Sequence, residues 1–198
     1  MESIRISGSG VVTGGVYDEI RTSGSGKIKG ETKCNVLRGS GSLSCDSSVE
    51  AKDLRVSGSA KFEGNVKVEE GRSSGAIRIE GNLDASKFEA SGSMVVGGDV
   101  NVDEFTAKIT NGSFENIYGD KIHINTDGAF IYNFFHEVVN NIKVESIEAT
   151  TICIKDVKVD RVSGDVVCIE EGCKVNLVEY RKTLDISTKA QIGLIVKL

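Results

Sequence analysis

No proline and no tryptophan occur among the 198 residues, and histidine occurs only twice. Corners in such a chain fall to Gly, present in 23 copies, and to Ser. Aromatics amount to 6%, so a core has to be filled by Val, Ile, Leu, Ala and Cys, which suits a narrow interior. There is no excess of positive charge. The formal net charge is −5, which argues against a nucleic-acid partner, because phosphate contacts need a concentrated Lys/Arg surface. Lys and Arg are scattered, usually beside Val or Ile, as on a solvated outer face. No apolar run approaches the roughly 20 residues of a bilayer span. Met1-Glu-Ser-Ile-Arg leads straight into patterned sequence, without the basic and apolar regions of a secretion signal. The expected compartment is the cytoplasm, with any membrane association confined to a surface contact.

A cysteine framework is also missing. Cys34, Cys45, Cys153, Cys168 and Cys173 are odd in number and contain no Cys-x2-Cys pair. They read as reduced, small buried hydrophobes rather than as disulfides or a zinc site. Cys168 and Cys173 are the pair that successive strands would bring near each other. The sequon at Asn111-Gly-Ser carries no weight in a cytoplasmic chain.

What is present is a repeat. Ser57-Gly-Ser-Ala-Lys-Phe-Glu-Gly-Asn-Val-Lys-Val, Ser74-Gly-Ala-Ile-Arg-Ile-Glu-Gly-Asn-Leu-Asp-Ala and Ser91-Gly-Ser-Met-Val-Val-Gly-Gly-Asp-Val-Asn-Val align without gaps, 17 positions apart. Earlier copies start at Ser7, Ser23 and, in degenerate form, Gly39. Within each copy apolar and polar residues alternate: Phe62, Val66 and Val68 match Ile79, Leu83 and Ala85, then Val96, Val100 and Val102. Period-2 alternation over such short runs predicts strands with one buried face. Gly58, Gly75 and Gly92, and again Gly64, Gly81 and Gly98, recur at one phase and mark corners.

One such copy cannot bury its own apolar face, whereas stacked copies can. The expected fold is all-β, a parallel β-helix (β-solenoid) with about 17 residues per coil, forming a rod roughly 50 Å long at a strand spacing of about 4.8 Å. Residues 1–126 form N-terminal coils, 127–141 an irregular aromatic segment, and 142–198 C-terminal coils of the same domain. In the last part the alternation continues through Ile142, Val144, Ile147, Ala149, Ile152, Ile154, Val157 and Val159 to Leu184, Ile186, Ile192, Leu194 and Val196.

The serial Ser-Gly-Ser…Glu-Gly-Asn-Val coils resemble those of the bactofilins, polymer-forming bacterial cytoskeletal proteins. The run from Val144-Glu-Ser-Ile-Glu through Val162-Ser-Gly-Asp-Val-Val-Cys-Ile to Gly172-Cys-Lys-Val-Asn-Leu-Val-Glu-Tyr180 looks like the tail of the bactofilin-like branch of Gram-positive bacteria. The resemblance implies a right-handed, three-faced β-helix that polymerises end to end into nonpolar filaments without nucleotide. It departs from the family in one respect: bactofilin cores usually carry disordered tails, some with an apolar membrane anchor, whereas here the coils begin within a few residues of Met1.

Little in the chain points to chemistry, and no enzyme activity, catalytic residue, cofactor or metal is expected. Ser23-Gly-Ser-Gly-Lys27 lacks the spacing of a phosphate-binding loop, and Ser7-Gly-Ser-Gly repeats it with Val11 in place of Lys27. Polysaccharide-cleaving β-helices set acids in a walled groove; Asp156, Asp160, Asp165, Glu170 and Glu171 sit instead in short coils with small corners.

Two sets of residues carry the functional expectations. A solenoid has two open ends with unpaired strand edges. Ile4 and Ile6 at one end, and Leu194, Val196 and Leu198 at the other, are the candidates for self-association into a homopolymer or head-to-head dimer. Ala129-Phe-Ile-Tyr-Asn-Phe-Phe-His-Glu-Val-Val139 is the most aromatic stretch. Its Phe130, Ile131, Phe134 and Phe135 either fill a wider coil or contact a partner, whether a membrane surface or cell-wall machinery. The alternative to a filament is a non-polymerising β-solenoid that binds a membrane surface, cell-wall glycan or protein.

Overall fold

The computed structural model describes residues 2–126 and 142–198. All twelve strands are parallel and follow chain order in a single sheet, stacked as a solenoid of about 11 turns roughly 17 residues apart, with no helix among the described residues. They are β1 (Glu2–Ile6), β2 (Ser9–Thr22), β3 (Ser25–Gly39), β4 (Ser42–Cys45), β5 (Val49–Phe62), β6 (Val66–Ile79), β7 (Leu83–Val96), β8 (Val100–Asn125), β9 (Ile142–Ile154), β10 (Val157–Ile169), β11 (Lys174–Ile186) and β12 (Gln191–Lys197). The expected all-β solenoid of about 17 residues per coil is therefore the observed fold. Phe130, Ile131, Phe134 and Phe135 lie outside the described residues, as does the whole expected segment 127–141.

Each coil turns three pairs of side chains inward. In one coil these are Val49 and Ala51, Leu54 and Val56, Ala60 and Phe62, all buried. The register then carries each position onto the next coil, as in Val49↔Val66↔Leu83↔Val100. Six inner columns result, and with so few large side chains the interior stays thin. Burying a Val, Leu or Ile contributes about 1.5–3 kcal/mol each, and a column supplies one such residue per coil, so the stack is held by the sum of many layers.

Corners are held by polar ladders in the same register. Asn65 N donates to Ser48 Oγ (3.1 Å), Asn82 N to Asn65 Oδ1 (2.9 Å), and Asp99 N to Asn82 Oδ1 (3.0 Å). Asn116 Nδ2 then donates to Asp99 Oδ1 (2.8 Å), and Ser146 Oγ to Asn116 Oδ1 (2.7 Å). The first three links satisfy backbone N–H groups that a corner takes out of the strand ladder, and the last two carry the ladder on through side chains alone. At another corner Gly75 has φ 141°, and a Cβ there would run into the carbonyl oxygen of Gly58 one coil earlier. Only glycine permits that approach.

Coils change size along the rod. Between β7 and β8 the register slips after Gly92, and the buried Ile109 fills the space left by Gly112 in the inner column. β8 and β9 pair in register 30 residues apart (Ile117↔Ile147, Ile124↔Ile154), so the stack continues across the undescribed segment. From β9 to β10 the offset falls to 15, as in Ile142↔Val157. The corner after Ile154 is compressed there, with Asp156 at φ 56°.

Candidate functional site

The terminal coils differ from each other. At the C-terminal edge β12 pairs with β11 through Val175↔Ile192, Leu177↔Leu194, Val178↔Ile195, Glu179↔Val196 and Tyr180↔Lys197. Leu198 N donates to the Tyr180 carbonyl (2.9 Å), and the Lys197 ammonium lies 5.9 Å from the Tyr180 ring centre. Ile192 and Ile195 continue inner columns over the buried Val175 and Val178. Leu194 stands in an outer column over Leu177, and Val196 in another over Glu179. Exposure reaches 59% at Leu194, 47% at Ile195 and 55% at Leu198. At the other edge Ile4 and Ile6 sit in register with Ile20 and Thr22, half-buried against the core. Tyr17 lies behind the exposed Glu2 in the inner column of Cys34 and Ala51, half-buried, its hydroxyl donating to the Thr13 carbonyl (2.7 Å). Even Val12, in the first full coil, is buried. An inner column thus ends on an aliphatic side chain 47% exposed at Ile195, whereas the aliphatic column ends at Ile4 and Ile6, like Leu184, Ile186 and Ile192, are half-buried against the core.

Sequence alternation picks Leu194 and Val196 over Ile195 because it does not register the corner at Gly193. The C-terminal coils advance three residues there between inner positions, as from Val159 to Val162 and from Val175 to Val178, where earlier coils take four, as from Phe62 to Val66. The offset of 17 that places Ile192 over Val175 also places Ile195 over Val178, and that offset is the signal that finds it.

The outward columns sort by charge. Arg5, Arg21, Arg38, Arg55 and Arg72 stack in register on one face. Arg21 lies against Glu19, Arg38 (3.6 Å) and Arg55 (3.0 Å) share Asp53, and Arg72 pairs with Glu89 (2.8 Å). The stack lines a shallow groove of about 470 Å³, with Ser23, Ser40, Ser57 and Ser74 on its other side. On another face Lys143, Lys158 and Lys174 follow one another directly. Lys27 of the Ser-Gly-Ser-Gly segment lies in β3 beside Val11 of β2, in the strand stack.

Further down the arginine face the same column continues as His123↔Cys153↔Cys168↔Asp185. Three of the five cysteines are buried in the core, as expected of small hydrophobes. Burial pushes the thiols of Cys34 and Cys173 up to about 11 and that of Cys45 to about 12. Cys153 and Cys168 instead face outward, half-buried. The Cys153 thiol donates to Glu170 Oε1 (3.5 Å) and is pushed up to about 12, first by desolvation, then by Cys168 and Glu170. The structure therefore brings Cys168 to Cys153, not to Cys173, whose thiol donates to the Ile154 carbonyl (3.4 Å).

No helix of the described residues is long and apolar enough to cross a membrane. Comparison of the chain with protein-family models, with curated proteins and with solved structures gives no match.

Proposed function

We propose that the chain is a structural scaffold that self-associates end to end, with the C-terminal coil as the principal joint. The observation that carries this reading is Ile195: an inner column ends there 47% exposed, on an edge strand whose outer hydrogen-bonding side faces no further coil. A second copy docking its own terminal coil about a two-fold axis would continue the β-stack, with antiparallel pairing at the junction, and bury Ile195, with Leu194 and Leu198 at the rim. Fully burying an aliphatic side chain of this size contributes about 1.5–3 kcal/mol, and strand pairing across the junction gives the edge groups partners. The isologous, tail-to-tail form closes as a dimer; adding a weaker contact through Ile4 and Ile6 extends it into a nucleotide-independent filament. The resemblance to bactofilins points to the same assembly and to a cytoplasmic cytoskeletal role.

Sedimentation velocity and negative-stain microscopy of the purified chain, with and without nucleotide, test this. Dimers that Ile195→Asp reduces to folded monomers, or filaments that it reduces to folded monomers or to dimers joined through Ile4 and Ile6, support it. Monomeric wild-type protein at all concentrations, or assemblies unchanged by Ile195→Asp, overturn it. The arginine groove favours a second reading, a binding module for an anionic cell-wall glycan or membrane surface, which retention on such a ligand without self-association would support.

A further inference from the structure

The outward thiols lie outside everything the scaffold reading uses. Cys153 and Cys168 are register partners on β9 and β10, so their Cα atoms are held one strand spacing apart, about 4.8 Å. Glu170 follows Cys168 by two residues, which returns its side chain to the same outer side. The two sulfurs and a Glu170 carboxylate oxygen all lie within 4.8 Å of one another. We propose that Cys153, Cys168 and Glu170 form a surface site for a thiophilic divalent cation of the zinc class, with a fourth coordination position open to solvent.

Geometry, charge and access each support this. Zinc bonds sulfur at about 2.3 Å and carboxylate oxygen at about 2.0–2.2 Å, so tetrahedral donors lie roughly 3.5–3.8 Å apart. Small side-chain rotations on two strands already in register close the observed set to that spacing. Two sulfurs with one oxygen select zinc-like ions over magnesium or calcium, which prefer an all-oxygen shell. The lysines at this corner, Lys155 (3.2 Å) and Lys189 (2.8 Å), both bind Glu171, while the Glu170 carboxylate meets the Cys153 thiol. Desolvation and then the neighbouring Cys168 and Glu170 hold the Cys153 thiol protonated, and a divalent ion among the three side chains reverses that balance. Access comes from a shallow pocket of about 310 Å³ lined by Cys168, Glu170, Asp185, Ser187 and Lys189. It leaves room for a bound water, which Asp185, next in the column, is placed to accept from. Binding forms two metal–sulfur bonds and one metal–oxygen bond and releases the two thiol protons to solvent, so affinity rises with pH.

The test uses the full chain, kept reduced with a phosphine, and zinc titrated against a chromophoric chelator, with cobalt(II) as a spectroscopic substitute. The expected result is one equivalent of zinc per chain, together with thiolate-to-cobalt charge transfer and tetrahedral cobalt bands. Cys153→Ser and Cys168→Ser should each weaken zinc by about 100-fold or more, above the 10–100-fold cost of disturbing an outer-shell partner. Glu145→Gln, at a different corner, should leave affinity unchanged. Because the substituted residues face outward, circular dichroism should report intact coils in every variant. Absence of stoichiometric zinc binding, a cobalt spectrum without charge transfer, or wild-type affinity in both cysteine variants overturns the proposal.

Discussion

The ring of Phe88 occupies the place where a side chain at Gly71 would stand. The two are register partners in one inner column, between Leu54 on one side and Phe105 on the other. A Cβ added at Gly71 would meet Cδ2 and Cε2 of Phe88. One small residue in a column of large ones thus makes room for a ring, and three rings continue the packing: Phe105 sits 6.4 Å from Phe88 and 6.0 Å from Phe114, edge-on to the latter.

Gly71→Ala should therefore destabilise the fold by about 1–3 kcal/mol, the usual cost of overpacking a closed core. Phe88→Leu alone should also destabilise, by leaving space. Combined, the two should cost less than their sum, because each relieves the other. Urea unfolding of the two single variants and the double variant checks this, and strict additivity would show that the contact does not govern the site.

Ser73 follows Val56 in another inner column and precedes Ala90. Its hydroxyl is buried without a hydrogen-bond partner. An unpaired buried hydroxyl costs about 1–3 kcal/mol, so Ser73→Ala should raise the thermal midpoint rather than lower it. A drop in the midpoint would mean that the hydroxyl does have a partner.

Alkaline pH should weaken the fold. The buried thiols of Cys34, Cys45 and Cys173 ionise near 11 to 12 when folded, against an ordinary value of 9.0. Below 9 both states hold the protons and stability is unaffected. Between 9 and 11 the unfolded chain loses them while the folded chain keeps them. Each thiol then shifts the balance toward unfolding by about 1.4 kcal/mol per pH unit. Denaturant midpoints measured from pH 8 to 11 should fall only above 9, and less steeply in Cys34→Ala.

Much of the fold was legible without coordinates. The 17-residue offset and the alternation around Phe62, Ile79 and Val96 identify strands, inner face and stacking direction, because in a strand successive side chains point to opposite faces and a single coil cannot cover its own apolar face. The inner positions from Ile142 to Val159 follow the same rule, and all are buried. Leu177, Leu194 and Val196 break it, since the corner ahead of each column adds a residue that a period of two cannot register.

The terminal and thiol sites were less legible for the same reason. That Ile195 ends an inner column, that five arginines share a face, and that Cys153 meets Cys168 instead of Cys173 all depend on how many residues each coil spends on its corners. Composition and alternation determined that this chain forms a stack of short strands around a thin aliphatic core, because that pattern is local and repeats within a few residues. Only the tertiary structure decided which outward side chains become neighbours, because register between coils is set by the closure of each turn in three dimensions.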